Sequence, residues 1–140
     1  MIRLLQCRVP VLTEEYAVHV IIGEAAAATV AAQRLLDQHA VQTHLEGSLD
    51  RNRGIAWNTL PDHNPIIAVR ADLSFADTIA TLAHEASHAL GYLAEATGLD
   101  DAKGEFRAHG ISAILRMLIP RLDTKRPARP ARRSPRRRKD

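Results

Sequence analysis

The amino-acid sequence predicts one small α+β domain, residues 1–124, followed by a basic tail, residues 125–140. The chain has 140 residues, of which 46% are hydrophobic and only 4% aromatic. About 120 residues can bury one hydrophobic core but not two. Segments rich in β-branched residues alternate with segments of helical period, which indicates a sheet of about three or four strands packed on a helix.

The charge is divided unevenly between these two parts. Residues 125–140 contain nine of the 19 basic residues and one acid, a net charge of +8, whereas residues 1–124 have ten basic and fifteen acidic residues, a net charge of −5. The tail has three prolines and no apolar period, so it is expected to be disordered. Its cations would attract phosphate backbones without sequence specificity, so nucleic acid is a candidate partner of residues 125–139. Three alternatives for the tail stay open: it binds an acidic protein, it binds a membrane surface, or it only increases solubility.

Two absences in the sequence restrict the class of protein. No apolar run reaches the roughly 20 residues that a membrane-spanning helix needs, so no membrane partner is expected for the domain. Cys7 is the only cysteine, which excludes a disulfide within the chain. We therefore expect a cytoplasmic protein in which Cys7 is an ordinary residue of an early strand or loop.

The first half of the chain contains a predicted strand and a predicted helix. Residues 16–22 are rich in β-branched side chains and end at Gly23, which is typical of a strand. Residues 24–39 have apolar residues at helical spacing, and their many alanines suit close packing on a sheet. Residues 40–52 are ambiguous, with a short strand at residues 42–45 as one interpretation.

Two more strands are predicted near the middle of the chain. Residues 53–58 alternate moderately between apolar and polar side chains, and residues 65–70 form an apolar, β-branched run. The turn residues 61–65 separate them. We expect the two strands to form a hairpin or to be neighbours in one small sheet.

The strongest helix signal begins at Ser74. Ser74 and Asp77 form a capping pattern in which side chains bond to the free amides of the first turn. Apolar residues then follow at helical spacing, and Gly98 is a typical C-terminal stop. A last helix is predicted over residues 105–119, since Pro120 is expected to end it.

This capped helix contains the sequence His84-Glu85-Ala86-Ser87-His88. Residues four apart lie one turn above each other on the same helix face, so both imidazoles can bind one Zn²⁺ ion at about 2.0–2.1 Å. Glu85 lies beside them and can act as a general base on a metal-bound water. The same pattern also occurs by chance on helix surfaces. The apolar residues around this one favour a metal site, because ionisable groups are seldom buried without a partner.

A catalytic zinc ion usually has a third protein ligand, and the sequence offers three candidates. Glu105 and His109 lie one turn apart on the predicted last helix, which can pack antiparallel to the motif helix. Glu95 is excluded because it lies about 10 Å along the helix axis from His88. Glu105 is favoured, which leaves His109 to donate a hydrogen bond to the oxyanion of a tetrahedral intermediate. An ordinary, partly buried helix histidine is the alternative interpretation of His109. Tyr92 is a second candidate for the electrophilic role, and packing at the helix end is its simpler interpretation.

At these residues the chain resembles the zincin metallopeptidases, and more narrowly the small gluzincin-like metallopeptidases of phages and prophages. The resemblance rests on residues 81–89 (Thr-Leu-Ala-His-Glu-Ala-Ser-His-Ala), on residues 99–101 (Leu-Asp-Asp) and on residues 105–109 (Glu-Phe-Arg-Ala-His). It covers roughly residues 66–119. The family's order of strand, helix and strands is more loosely similar to the part before residue 66.

This resemblance implies a minimal zincin-like domain with a defined set of site residues. His84, His88 and Glu105 would bind Zn²⁺, and Glu85 would be the catalytic base. His109 stands where the family tends to have tyrosine. In zincins an edge strand beside the motif helix also pairs with the substrate backbone. Here either of the two predicted strands in the middle of the chain can be that edge.

Two other zincin groups match less well. The metzincin pattern places its third histidine at Ala94, which excludes that group. The SprT-like proteases use a later His-Gly pair, which His109 and Gly110 resemble. The distance from His88 is long for that group, and the pair falls within a predicted helix.

The sequence therefore predicts a zinc-dependent peptidase that hydrolyses peptide bonds in a bacterial or phage-infected cell. Its expected partners are a peptide or protein substrate and Zn²⁺, and its oligomeric state stays open. The alternative is a non-catalytic binding protein on the same scaffold, such as a phage-type regulator or a nucleic-acid-associated factor. The small size supports this alternative, because about 120 residues leave little wall for a substrate cleft.

Overall fold

A computed structural model describes residues 2–41, 45 and 49–122, and it has the predicted α+β architecture. Within these residues there are four strands and three helices: β1 (Arg3–Val11), β2 (Glu14–Gly23), α1 (Ala25–Gln38), β3 (Gly54–Trp57), β4 (Ile66–Arg70), α2 (Phe75–Thr97) and α3 (Glu105–Leu122). The basic tail and residues 42–44 and 46–48 of the ambiguous segment lie outside the described residues. No helix in the described part is long and apolar enough to cross a membrane.

The four strands form one mixed sheet in the order β1-β2-β4-β3. β1 and β2 form an antiparallel hairpin, β2 and β4 are parallel, and β3 pairs antiparallel with β4. A parallel pair needs a crossover connection, and the chain between β2 and β4 includes α1. The two predicted middle strands are thus neighbours, as expected. β3 is an edge of the sheet and β4 lies inside it, which answers the question that the sequence left open.

The helices lie on both faces of the sheet. Alanines of α1 allow it to pack closely against β2 and β4 on one face. α2 and α3 cover the other face, where the larger apolar cluster is found. Fully buried members of that cluster are Cys7, Val18, Val20, Ile67, Val69, Leu82, Ala86, Ala89, Leu90, Leu93, Ile114 and Leu118. Cys7 is therefore a core residue of β1, in agreement with its predicted ordinary role.

The ends of α2 have the predicted caps. The backbone N–H of Asp77 donates to the Ser74 hydroxyl at 3.1 Å. At the other end Gly98 adopts a left-handed conformation with φ 70°, and its N–H bonds to the carbonyls of Ala94 and Glu95. Glycine adopts a left-handed backbone conformation at little energetic cost, which explains why α2 ends at Gly98.

α2 and α3 pack against each other, an arrangement that the sequence allowed. Arg107 of α3 lies over Gly91 of α2, and Gly110 lies against Leu90. Higher numbers on α3 thus meet lower numbers on α2, so the two helices are antiparallel. A Cβ atom on Gly110 would come within 2.6 Å of Leu90 Cδ1, which shows how closely the helices approach.

The end of α3 differs from the prediction. The helix was expected to stop at Pro120, but it continues to Leu122. Proline has a φ that is compatible with a helix and removes only one backbone donor. The burial of Leu118 and Leu122 in the core favours one more half-turn over an earlier stop.

Candidate metal centre

α2 places His84 and His88 on one exposed face of the helix. Their Nε2 atoms lie 3.3 Å apart, and their ring centroids are separated by 4.9 Å. The opposite face of α2 carries the buried Leu82, Ala86 and Leu90. The sequence argument that apolar burial surrounds the motif therefore does not extend to the two imidazoles, which solvent can reach.

The two imidazoles fit two ligand positions of a zinc ion. Tetrahedral ligands at about 2.0–2.1 Å from a metal are themselves roughly 3.3–3.4 Å apart, and the two Nε2 atoms have this separation. Two facing nitrogen lone pairs repel unless they share a proton or a cation. The geometry of His84 and His88 is therefore compatible with a shared proton and equally with a shared metal ion.

Glu85 points away from the exposed histidine face and toward β3. Its residue is only 8% exposed, and a Cβ atom on Gly54 would lie 3.0 Å from Glu85 Cγ and 2.5 Å from Thr81 Cγ2. Gly54 is thus the residue that lets β3 approach α2 beside the carboxylate. Burial raises the pKa of the Glu85 carboxyl above its ordinary value, and the neighbouring His84 and His88 oppose this rise.

The outer edge of β3, which pairs with no other described strand, borders the same groove. Arg70 N–H donates to Arg53 O at 3.0 Å, and the antiparallel alternation then directs the backbone groups of Gly54 and Ala56 away from β4. The Tyr92 hydroxyl donates to Ala56 O at 3.4 Å on that outer side. Tyr92 therefore supports the edge strand, which is closer to the packing role than to the electrophilic role considered from the sequence.

A shallow cavity of about 310 Å³ connects the edge strand with the motif. Its lining consists of Asn52, Arg53, Gly54, Ala80, Thr81, His84 and Glu85. An extended chain lying along β3 would thus pass directly over Glu85 and His84. The groove thus contains the edge strand, the Glu85 carboxylate and the His84 imidazole, and His88 lies one helix turn after His84.

The other two predicted site residues lie elsewhere. Glu105 is the first residue of α3 and His109 lies one turn later, and both are exposed. Among residues 2–41, 45 and 49–122, no three His, Cys, Asp or Glu side chains form a group that could hold a metal ion. The predicted pair is therefore assembled, whereas neither predicted third ligand joins it in this structure.

Two residues of the site region were missed by sequence reasoning. Gly54 carried a weak signal, since a glycine at the start of a strand often marks a close backbone approach. Arg107 carried no signal, because its place over Gly91 depends on how α3 is aligned along α2.

A second histidine cluster lies on the other side of the sheet from α2. His19 of β2 and His39, which caps α1, both pack on His63, with ring centroids 5.0 and 5.1 Å from it. Burial first, and then the two neighbouring imidazoles, lower the pKa of His19 to about 4. These rings belong to the packing of α1 and β2 and lie outside the groove.

Comparison with known proteins provides no relative for this site. No protein-family model, no curated protein and no solved structure matches this chain. The site is therefore interpreted from its own geometry and chemistry.

Proposed function

We propose that this chain is a zinc-dependent peptidase of the zincin type. The observation that carries the proposal is the 3.3 Å approach of His84 and His88 Nε2 beside a buried carboxylate, Glu85, in a groove that an edge strand borders. A chance surface pair of histidines would not need a carboxylate and a free sheet edge at the same place. The three features together support hydrolysis of an extended peptide, and within the described residues no third protein ligand stands beside them.

Each residue of the groove has a distinct task in this proposal. A zinc ion bound by His84 and His88 would supply a Lewis acid that polarises the scissile carbonyl. The Glu85 carboxylate takes a proton from the attacking water and passes it to the leaving amine nitrogen. Gly54 lies against the Glu85 side chain, which is only 8% exposed, so the carboxylate needs little reorganisation at that moment.

The substrate backbone would bind to β3 by strand addition. Gly54 directs its N–H and C=O groups outward and Ala56 its N–H group, and an extended peptide can bond to these groups. The Ala56 carbonyl already accepts a hydrogen bond from the Tyr92 hydroxyl. Gly54 lies beside Glu85, so the bonded peptide segment is held next to the proton acceptor. Main-chain bonding of this kind selects for an extended backbone more than for particular side chains.

Two substitutions separate metal binding from hydrolysis. Glu85→Gln is expected to retain zinc and to lose peptide cleavage by roughly two to four orders of magnitude, the range for a positioned proton-transfer group. His84→Ala is expected to lose both. Zinc content by mass spectrometry of the purified protein and cleavage of a peptide library are the two measurements. Glu95→Gln, an exposed carboxylate on the same helix, is the matched control and should change neither.

The same measurements decide between the proposal and its alternative. A protein that takes up no zinc at neutral pH would contradict the proposal. Tight zinc binding with no cleavage, and with no effect of Glu85→Gln on any activity, would favour the non-catalytic binding protein. Zinc affinities of Glu105→Gln and His109→Gln identify the third ligand. Loss of that ligand should cost more than the roughly 10–100-fold that loss of an outer-shell partner costs.

A further inference from the structure

We infer that Arg107 binds a carboxylate of the peptide substrate, either an acidic side chain near the scissile bond or a free C-terminus. The inference deepens the proposed function and rests on it, because it assumes that peptides occupy the groove beside His84 and His88. It assigns a specificity-determining role to a residue of α3 that carries no metal.

The position of Arg107 is the first argument. Its Nη2 atom lies 2.7 Å, and its guanidinium carbon 3.2 Å, from the place that a Cβ atom on Gly91 would occupy. Gly91 follows His88 by three residues on α2, and side chains three apart on a helix are neighbours, with Cβ atoms about 5–6 Å apart. The guanidinium therefore reaches across from α3 to the helix face that bears the imidazole pair.

The anchoring of Arg107 is the second argument. Asp101 Oδ2 has no hydrogen-bond partner within the described residues and lies 3.5 Å from Arg107 Nε. Its other oxygen, Oδ1, accepts the Phe106 N–H at 2.9 Å, and the Asp101 side chain is only 9% exposed. A fixed carboxylate thus holds the guanidinium through its Nε edge. The Nη2 atom lies on the side of Gly91.

The space at Gly91 is the third argument. If Arg107 served only to pair with Asp101, the residue of α2 beneath its guanidinium would not need to be a glycine. The glycine lets the cation lie low against α2, while the Arg107 side chain is still 49% exposed, so a ligand can reach it. Arginine offers a planar fork of donors that matches a carboxylate in a bidentate way.

The length of a peptide fits this placement. Each extended residue advances about 3.3–3.6 Å, so a carboxylate one or two residues from a bond at the imidazole pair can reach the neighbouring turn of α2. A second cation, Arg53, lines the groove itself, but it is paired with Asp77 at 3.1 Å. A carboxylate on the substrate is the ligand that this position fits best.

Peptide capture by a variant that does not cleave tests the inference. Glu85→Gln protein would be immobilised and exposed to two synthetic peptide libraries, one with free and one with amidated C-termini, and retained peptides would be identified by mass spectrometry. We expect peptides with a carboxylate to be enriched among the retained peptides relative to the starting library. Addition of Arg107→Gln should weaken retention of carboxylate peptides roughly tenfold, the scale of a hydrogen bond to a charged group. Arg116→Gln, an exposed arginine of the same helix, is the matched control.

The outcomes separate the inference from the proposed function. Enrichment in the amidated library identifies an acidic side chain as the ligand, and enrichment only in the free library identifies the C-terminus. Retention without carboxylate enrichment, enrichment that Arg107→Gln leaves unchanged, or no retention at all overturns the inference. Peptide cleavage by the wild-type protein is measured separately, so its presence or absence tests only the proposed function.

Discussion

The close contact of β3 with α2 depends on Gly54, a residue without a side chain. Gly54→Ala would place a Cβ atom 2.5 Å from Thr81 Cγ2 and 3.2 Å from the Ala68 carbonyl oxygen. We expect the free energy of unfolding to fall by about 1–3 kcal/mol, the usual cost of overpacking. Peptide cleavage should fall as well, because the Glu85 side chain is displaced. Urea denaturation and the library assay measure the two effects.

A second substitution shows whether this contact is the cause. Thr81→Ser removes the Cγ2 methyl group and keeps the hydroxyl. Combined with Gly54→Ala, it should restore part of the lost stability, so the two changes should show a coupling energy rather than add. Strict additivity of Gly54→Ala and Thr81→Ser would contradict the proposed contact.

His19 gives the stability of the protein a specific pH dependence. Its pKa is lowered from 6.5 to about 4 in the folded protein, first by burial and then by His63 and His39. Between these two values the unfolded chain binds a proton at His19 that the folded chain does not bind. This contribution to stability is therefore complete above about pH 6.5 and is lost as the pH falls toward 4.

A neutral side chain at position 19 should weaken that dependence. We expect the midpoint of urea denaturation of His19→Gln to decrease less between pH 7 and pH 5 than that of the wild-type protein. His109→Gln serves as the control, since His109 is exposed on α3. Equal pH dependence of the wild-type protein and His19→Gln would show that this imidazole does not resist protonation.

At the scale of helices, two glycines in the α2–α3 interface should respond oppositely to alanine. A Cβ atom on Gly91 meets the end of the exposed, flexible Arg107 side chain, which can move. Alanine is the better helix former, so Gly91→Ala should raise the free energy of unfolding by roughly 0.5–1 kcal/mol. It should also push Arg107 away from its place over α2 and reduce carboxylate-dependent peptide capture. A variant that is more stable yet binds less well would be an informative result.

Gly110→Ala is the comparison for this prediction. Its Cβ atom would come within 2.6–2.7 Å of both terminal carbons of Leu90, which is fully buried and has no room to move. Overpacking of about 1–3 kcal/mol should therefore exceed the gain in helix propensity. Urea denaturation of both variants shows whether each substitution raises or lowers the free energy of unfolding. Stabilisation by Gly110→Ala, or destabilisation by Gly91→Ala, would mean that the helices align differently.

The predicted elements were those with strong local signals. α2 has a Ser74 cap and a Gly98 stop, and the sequence predicted both ends to the residue. Helix caps depend on side chains and backbone conformations within a few residues of the helix end, so a local sequence pattern can predict them. β1 was expected only as a strand or loop. Its exposed face carries Leu4, Gln6, Arg8 and Pro10, which do not form a strong strand pattern. The place of β3 at the sheet edge follows from pairing across the chain, which no local pattern encodes.

The candidate site divides in the same physical way. Helical spacing alone brings His84 and His88 together, so the sequence predicted the pair. The direction of Glu85 depends on the approach of β3 through Gly54, a contact between residues distant in sequence. Arg107 enters the site region only through the alignment of two helices. Spacing within one helix can be predicted from a sequence, whereas alignment between helices requires the fold.

For the whole molecule, the opposite charges of the domain and the tail predict separable activities. A chain ending at residue 124 has a net charge of −5, because the +8 segment is removed. We expect this shortened protein to lose salt-sensitive retention on DNA and RNA while zinc content and peptide cleavage stay unchanged. Retention measured between low and moderate salt checks the prediction. Full-length protein with the tail arginines changed to glutamine controls for length. Equal retention with and without the tail would contradict the prediction that residues 125–139 bind nucleic acid.

The two described ends of the chain lie side by side, and this determines how the protein can be attached to anything else. Arg3 at the start of β1 donates a hydrogen bond from Nη1 to the Arg121 carbonyl near the end of α3, at 3.3 Å. β1 and β3 are opposite edges of the sheet, three strand spacings or about 14 Å apart. A fusion partner or a solid support joined directly to Ile2 or Leu122 would thus sit at the margin remote from the imidazoles. The groove would stay accessible, and a short linker between Ile2 and Leu122 would allow the described domain to be circularly permuted.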